Sequence, residues 1–188
     1  MNKNIKVLIT VLIISIILLG CSNITKAESV KTINTQNKIE TYFTKKDGNL
    51  DQILIKEINT AQKNLNVSIY SLTKENIGNA IISAKKRGVE IKIITDKQES
   101  QSKSQKAILD KLKANNIPVK INSHPGLMHL KLTIVDNKTV CGGSYNYTAN
   151  ATEKNDENLI IMRDSNMVNE YINEFNAMWN DTNNYADY

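Results

Sequence analysis

The chain has few of the residues that hold metals or redox centres. Its 188 residues include two histidines and two cysteines. The histidines, His124 and His129, are five apart, and neither H-E-x-x-H nor C-x-x-C spacing occurs, so metal-assisted hydrolysis has little support. No G-x-x-x-x-G-K-[ST] loop and no G-x-G-x-x-G turn is present. Gly142-Gly143-Ser144-Tyr145-Asn146 ends in Asn, so it is not the G-x-S-x-G elbow of a serine hydrolase. There is one Trp and there are two Phe, and no loop is rich enough in Trp, Phe or Leu to dip into lipid. No internal repeat is evident. The expectation is a protein that works without cofactor or metal.

What the chain does carry is concentrated between residues 129 and 146. His129-Leu130-Lys131, Asp136 and Gly143-Ser144-Tyr145-Asn146 read H-x-K-x4-D-x6-G-S-x-N. Residues 129–135 alternate, so an extended strand places His129, Lys131 and Thr133 on one face and Leu130, Leu132 and Ile134 on the other. Asp136-Asn137 reads as a tight turn, with Thr139 to Cys141 as the returning strand. Ser144 and Asn146, two apart, share a face. The pattern gathers an imidazole, an ammonium, a hydroxyl and a carboxamide around one pocket. Phosphodiester chemistry needs such a set: a nucleophile for phosphorus, with cations and donors for its non-bridging oxygens. A neutral imidazole is a competent nucleophile, and its ordinary pKa of about 6.5 suits proton transfer. Lys131 offers a point charge to a phosphate oxygen, and Ser144 and Asn146 can donate hydrogen bonds to the others. The alternative, that His129 and Lys131 are ordinary solvent-facing strand residues, does not account for the G-S-x-N tail at its fixed distance.

This pattern resembles the HKD signature of the phospholipase D superfamily. The likeness extends from about Lys38 to Trp179, through Ser68-Ile69-Tyr70-Ser71-Leu72, Ala84-Lys85-Lys86-Arg87-Gly88-Val89 and Asn155-Asp156-Glu157-Asn158. It is similar above all to small bacterial endonucleases with one motif per chain. In that family two copies of the motif meet at one site. One histidine attacks to give a phosphohistidine; the other protonates the leaving alkoxide and then activates water. Here His124 has no lysine two residues on, so the chain holds one copy, and the resemblance implies a homodimer in which His129 of each subunit takes one role. Asp136 is expected to orient the site rather than touch substrate. Glu157 resembles the acidic residue that in similar nucleases holds the histidine ring by its second nitrogen; a solvated loop carboxylate is the other reading. The candidate catalytic set is therefore His129, Lys131, Asp136, Ser144, Asn146 and Glu157, with Lys131, Ser144 and Asn146 on the phosphate.

The N-terminus carries a second signal. Lys3 and Lys6 precede an apolar stretch from Val7 to Leu19, interrupted by Thr10 and Ser15. This is short of the roughly 20 residues that span a bilayer and fits a signal peptide. Leu18-Leu19-Gly20-Cys21 resembles a bacterial lipobox, with residues 1–20 removed and Cys21 lipidated; an uncleaved signal anchor is the alternative. Both readings place the domain outside the cytoplasmic membrane and tethered to it, and two or more acyl chains hold stably. Cys141 is then the one thiol left, so no intramolecular disulfide forms; it is expected to pack as a small buried residue. Residues 21–37 read as the lipidated Cys and a flexible linker spanning about 20–25 Å.

Residues 38–182 read as one domain, with 183–188 as a polar tail. Apolar spacing predicts strands at Ile39–Thr44, Leu65–Ile69, Val89–Ile93 and Asn158–Met162, the hairpin at 129–141, and helices through Leu50–Ala61 (behind Asn49 as N-cap), Ile77–Ala84, Ala107–Leu112 and Val168–Trp179. The fold class is α/β: a mixed sheet flanked by helices on both faces, a phospholipase D-like sandwich. The aromatic stripe Tyr171, Phe175 and Trp179 has the spacing of a buried face.

Charge bears on the substrate. The chain is +5, and residues 85–120 hold ten Lys/Arg against four Asp/Glu. Such clusters bind polyanions, although Lys85, Lys86 and Arg87 equally suit a helix C-terminus. The leading expectation is a sequence-nonspecific endonuclease on DNA, with RNA open. The second is a phospholipase D acting on membrane phospholipid, and the third is a noncatalytic binding module, which would require a damaged site.

Overall fold

The computed structural model describes residues 39–188. The expected signal peptide, Cys21 and linker lie outside the described residues. The elements are β1 (Ile39–Phe43), α1 (Thr44–Asp47), α2 (Leu50–Thr60), β2 (Asn64–Ile69), α3 (Glu75–Lys86), β3 (Glu90–Thr95), a 3-10 turn (Glu99–Gln101), α4 (Lys103–Ala114), β4 (Val119–Asn122), β5 (Lys131–Val135), β6 (Thr139–Gly143), α5 (Ala149–Glu153), β7 (Asn158–Met162), α6 (Ser165–Asn180) and β8 (Tyr185–Asp187).

The eight strands form one sheet in the order β1-β7-β6-β5-β2-β3-β4-β8. Two strand–helix crossovers make β2, β3 and β4 parallel, and β5 returns antiparallel to β2. Period-two alternation sorts the strand side chains between two cores. Leu65, Val67 and Ile69 of β2 pack under Leu50, Leu54 and Ile58 of α2, Ile77 and Ile81 of α3, and Leu109 and Leu112 of α4. Leu132, Ile134, Val140 and Met162 pack under Val168, Phe175 and Met178 of α6. The result is the expected mixed sheet with helices on both faces. The stripe on α6 belongs to this core: Phe175 is fully buried and stacks on Trp179 with centroids 6.1 Å apart.

Three details differ from the sequence reading. Residues 183–188 are not a tail outside the domain, because Tyr185–Asp187 add an edge strand to β4 and Tyr185 is buried. Strands of three and four residues are too short for alternation to register, which is why β8 and β4 escaped the pattern. Asn49 precedes α2 but makes no side-chain cap; it sits at φ 44, a left-handed conformation that Asn tolerates.

The topology defines two ends of the sheet. The C-terminal ends of β2, β3 and β6 meet the N-terminal ends of β5 and β7 at one end, the place where open α/β sheets bind ligands. β1 runs antiparallel to β7, Ile39 opposite Met162 and Phe43 opposite Asn158, so Phe43 lies at this end and Ile39 at the other.

Candidate active site

Lys131 opens β5 and pairs with Ile69, the last residue of β2. The backbone N–H of Tyr70 donates to the Leu130 carbonyl at 2.9 Å, which holds His129 and Tyr70 side by side. Their rings lie 4.6 Å apart, tilted by 57°, and Lys131 Nζ sits 4.9 Å from the centre of the same Tyr70 ring. Lys131 Nζ also donates to the His129 carbonyl at 2.7 Å. One tyrosine thus carries the imidazole and the ammonium together. His129 is exposed and Lys131 is 8% exposed. Burial holds the Lys131 ammonium below the usual lysine range, an effect the Glu157 carboxylate opposes.

Ser144 and Asn146 follow β6. Gly143 sits at φ 138, and a Cβ there would lie 2.4 Å from the Asn158 carbonyl oxygen, so only glycine lets the chain pass this close to β7. That oxygen accepts from the N–H groups of both Ser144 and Tyr145, at 3.2 and 3.3 Å. Tyr145 and Tyr147 point into the core, where their hydroxyls meet Thr152 at 2.6 Å and Thr133 at 2.7 Å. The alternating residues Ser144 and Asn146 are thereby turned the other way. Asn146 Oδ1 is buried and has no hydrogen-bond partner among the described residues. A buried amide end normally finds one. A half-turn of the amide puts its NH2 there, a donor suited to a phosphate oxygen.

Glu157 lies in the loop that leads into β7 and is partly exposed. Its carboxylate accepts from Ser144 Oγ at 2.5 Å and from Asn155 Nδ2 at 3.0 Å, and no hydrogen bond joins it to the His129 ring. The Ser144 proton is therefore engaged, and a phosphate that used it would compete with Glu157.

Asp136 is not brought to this cluster. It lies past the far end of β5, about 17 Å along the strand from Lys131. With Asn137 it forms the turn, φ 52 and 54. Its carboxylate accepts from the backbone N–H groups of Lys63 (2.7 Å), Asn64 (3.0 Å) and Gln62 (3.0 Å). Burial alone would raise its pKa; these amides and Lys138 outweigh that and hold it below the usual carboxylate value.

The sequence of residues 54–179 matches the family model described as "Cardiolipin synthase, PLD-like domain". The chain belongs to the phospholipase D superfamily. It is 33% identical over 138 residues to a phospholipase D of Rickettsia bellii, covering 73% of this chain and 67% of that protein. Its fold is similar to that of Nuc, a phospholipase D family member from Salmonella typhimurium, with a TM-score of 0.73 and 28% identity over 80% of this chain and 97% of Nuc. NucT from Helicobacter pylori follows, with a TM-score of 0.67 and 26% identity over 75% and 96%. This phospholipase D-like chain is an enzyme that hydrolyses phosphodiester bonds.

The motif alone did not disclose Tyr70 as part of the site, although its stretch was among those that resemble the family. Burial, with the Glu99 and Asp96 carboxylates nearby, pushes the Tyr70 phenol above its ordinary value. The sequence also hid Gln105. Its Oε1 accepts from the Leu72 N–H at 2.7 Å, and its Nε2 donates to Thr95 Oγ1 at 2.8 Å, pinning the loop that carries Tyr70. Cys141 is fully buried in the main core. Burial pushes its thiol well above the ordinary value, the setting of a packing residue.

Proposed function

We propose that the chain is a metal-independent endonuclease without sequence preference, acting through a phosphohistidine at a site shared by two subunits. The His129 imidazole lone pair forms a bond to phosphorus as the bond to the leaving alkoxide breaks. The imidazolium of His129 of the partner subunit gives that alkoxide its proton. The same imidazole, now neutral, takes a proton from water, whose oxygen attacks phosphorus and releases His129. Lys131 and Asn146 hold the non-bridging oxygens.

The observation that carries the nucleic-acid reading is the open form of the site. His129 lines a groove of about 490 Å³ with His124, Leu127, Met128, Glu174 and Tyr185. Ser144 and Glu157 line a second groove of about 410 Å³ with Phe43, Lys45 and Lys46. A polymer can continue past the scissile phosphate in both directions, whereas a headgroup alone needs an enclosed pocket. A phospholipase D reading has its own support. Leu127 and Leu130 beside His129, and Phe43 at the second groove, are 47%, 39% and 46% exposed, and this apolar rim suits either lipid or a second subunit. We also propose that Cys21 is lipidated and holds the enzyme on the outer face of the cell membrane.

The test is incubation of the protein in EDTA with supercoiled plasmid and with phospholipid vesicles. Nicking is expected, and His129→Ala and Lys131→Ala should each reduce it by about a thousandfold or more. Headgroup release without nicking would establish the lipid reading instead. Light scattering checks the shared site, because a fully active monomer would refute it.

A further inference from the structure

The segment from Ser123 to Leu130, which delivers His129, has no regular secondary structure. Its position depends on what grips it. Met128, immediately before His129, is 2% exposed, and its N–H donates to Asp96 Oδ2 at 3.0 Å. Asp96 follows β3 and is itself 1% exposed. Its other oxygen accepts from the N–H groups of Gln98 and Glu99 at 2.9 and 3.1 Å. These bonds shape the turn that carries Glu99, whose carboxylate lies near the Tyr70 phenol. Asn122 adds a second strap between the same two segments: its Oδ1 accepts from the Lys97 N–H at 2.8 Å and its Nδ2 donates to the Gly126 carbonyl at 3.1 Å.

We propose that Asp96, assisted by Asn122, is a positioning residue that sets the His129 imidazole against Tyr70 and Lys131. The inference rests on the reading of His129 as nucleophile. One carboxylate ties together two segments beside the imidazole: Oδ2 fixes the backbone that leads into it, and Oδ1 fixes the turn at Gln98 and Glu99, whose carboxylate lies near the Tyr70 phenol. A capping role alone would use Oδ1. The bond to Met128 crosses 32 residues and serves the approach to His129. Three backbone donors on two oxygens also explain why a carboxylate stands here, since an amide offers one acceptor atom and can serve one side only. Reacting groups misplaced by about 1 Å lose roughly a hundredfold in rate, so a loosened segment should be visible in turnover.

The experiment compares Asp96→Asn with the unaltered chain on bis(4-nitrophenyl) phosphate in EDTA, with His129→Ala alongside. In Asp96→Asn, kcat should fall about ten- to a hundredfold and KM should stay within about twofold, in protein that melts cooperatively. The chain has two histidines, so the His129 ring protons can be followed by NMR. They should move toward unstructured positions as the Tyr70 ring recedes, a signature that a uniform loss of stability does not produce. Unmoved His129 resonances, or a kcat within about twofold of the unaltered chain, overturn the proposal. If Asp96→Asn does not fold, Asn122→Ala serves in its place, with a smaller fall in kcat expected and an unchanged kcat counting against the proposal. A His129→Ala protein that still turns over refutes the nucleophile reading. An inactive His129→Ala with a fully active Asp96→Asn refutes the positioning role alone.

Discussion

Lys131 has to carry a charge where water is largely excluded. The Tyr70 ring and the His129 carbonyl replace part of its hydration, yet burial still holds its pKa below the usual lysine range. A Lys131 that has lost its proton no longer attracts phosphate oxygens. The rate therefore falls as pH rises through the depressed pKa, earlier than for a free lysine at about 10.4. The alkaline limb of kcat/KM, which reports the free enzyme, should lie below that value. Lys131→Arg should move the limb out of reach and lower the rate as well, because a planar fork does not reproduce a compact ammonium. A limb at or above the free-lysine value would show that Lys131 does not govern it. At this scale the motif was legible from spacing alone: His129, Lys131, Ser144 and Asn146 came from two runs of alternating residues. Tyr70, Asp96 and Gln105 did not. Each acts through a ring face or a backbone amide that folding brings near, and no local spacing records that.

Elements locate the site through two turns at opposite ends of the sheet. At the catalytic end, Gly143 lets β6 pass β7 close enough for Asn158 to hold Ser144 and Tyr145. Gly143→Ala combines a strained φ with a Cβ overlapping a carbonyl oxygen, so it should destabilise the fold by about 2–3 kcal/mol and reduce turnover in the protein that remains folded. Thermal melts and activity at low temperature separate the two effects. At the other end, Asp136 joins the hairpin to the start of β2. Its folded pKa is depressed, so its contribution is present above the unfolded value of about 3.9 and is lost as pH falls through the folded one. Asp136→Asn should cost about 2 kcal/mol near neutrality, or about 5 °C in Tm, with the difference vanishing in acid. A loss that persists at low pH would mean that the hydrogen-bonding geometry at the turn, and not the charge, carries the effect. α2, α3 and α6 were readable because they repeat apolar residues at helical spacing, and β2 and β5 because theirs alternate. β4 and β8 offered too few residues to show a period.

For the whole molecule, a basic run in sequence is not a basic patch in space. Lys85, Lys86 and Arg87 end α3 at the end of the sheet away from His129, and Arg87 donates to the carbonyls of Ile58 and Ala61 at the close of α2. Lys106 pairs with Asp110, and Lys111 with Glu75. Lys97, after β3, and Lys103, opening α4, stand at the catalytic end. Each phosphate contact adds about 0.7–0.9 to the slope of log affinity against log salt. Replacing Lys97 and Lys103 together by Glu should reduce the slope for DNA by about one to two, whereas the same change at Lys85 and Lys86 should leave it nearly unaltered. Equal effects at both places would point to diffuse attraction by net charge. The sequence supplied the number of charges, but the crossover topology decides which of them a substrate meets.

The direction of β1 has a consequence for reach. The described chain enters at Ile39, at the opposite end of the sheet from His129, and five residues later passes Phe43 at the rim of the second groove. The first strand is therefore a strut from the rear of the sheet to its working rim, and whatever replaces Phe43 is felt at that rim.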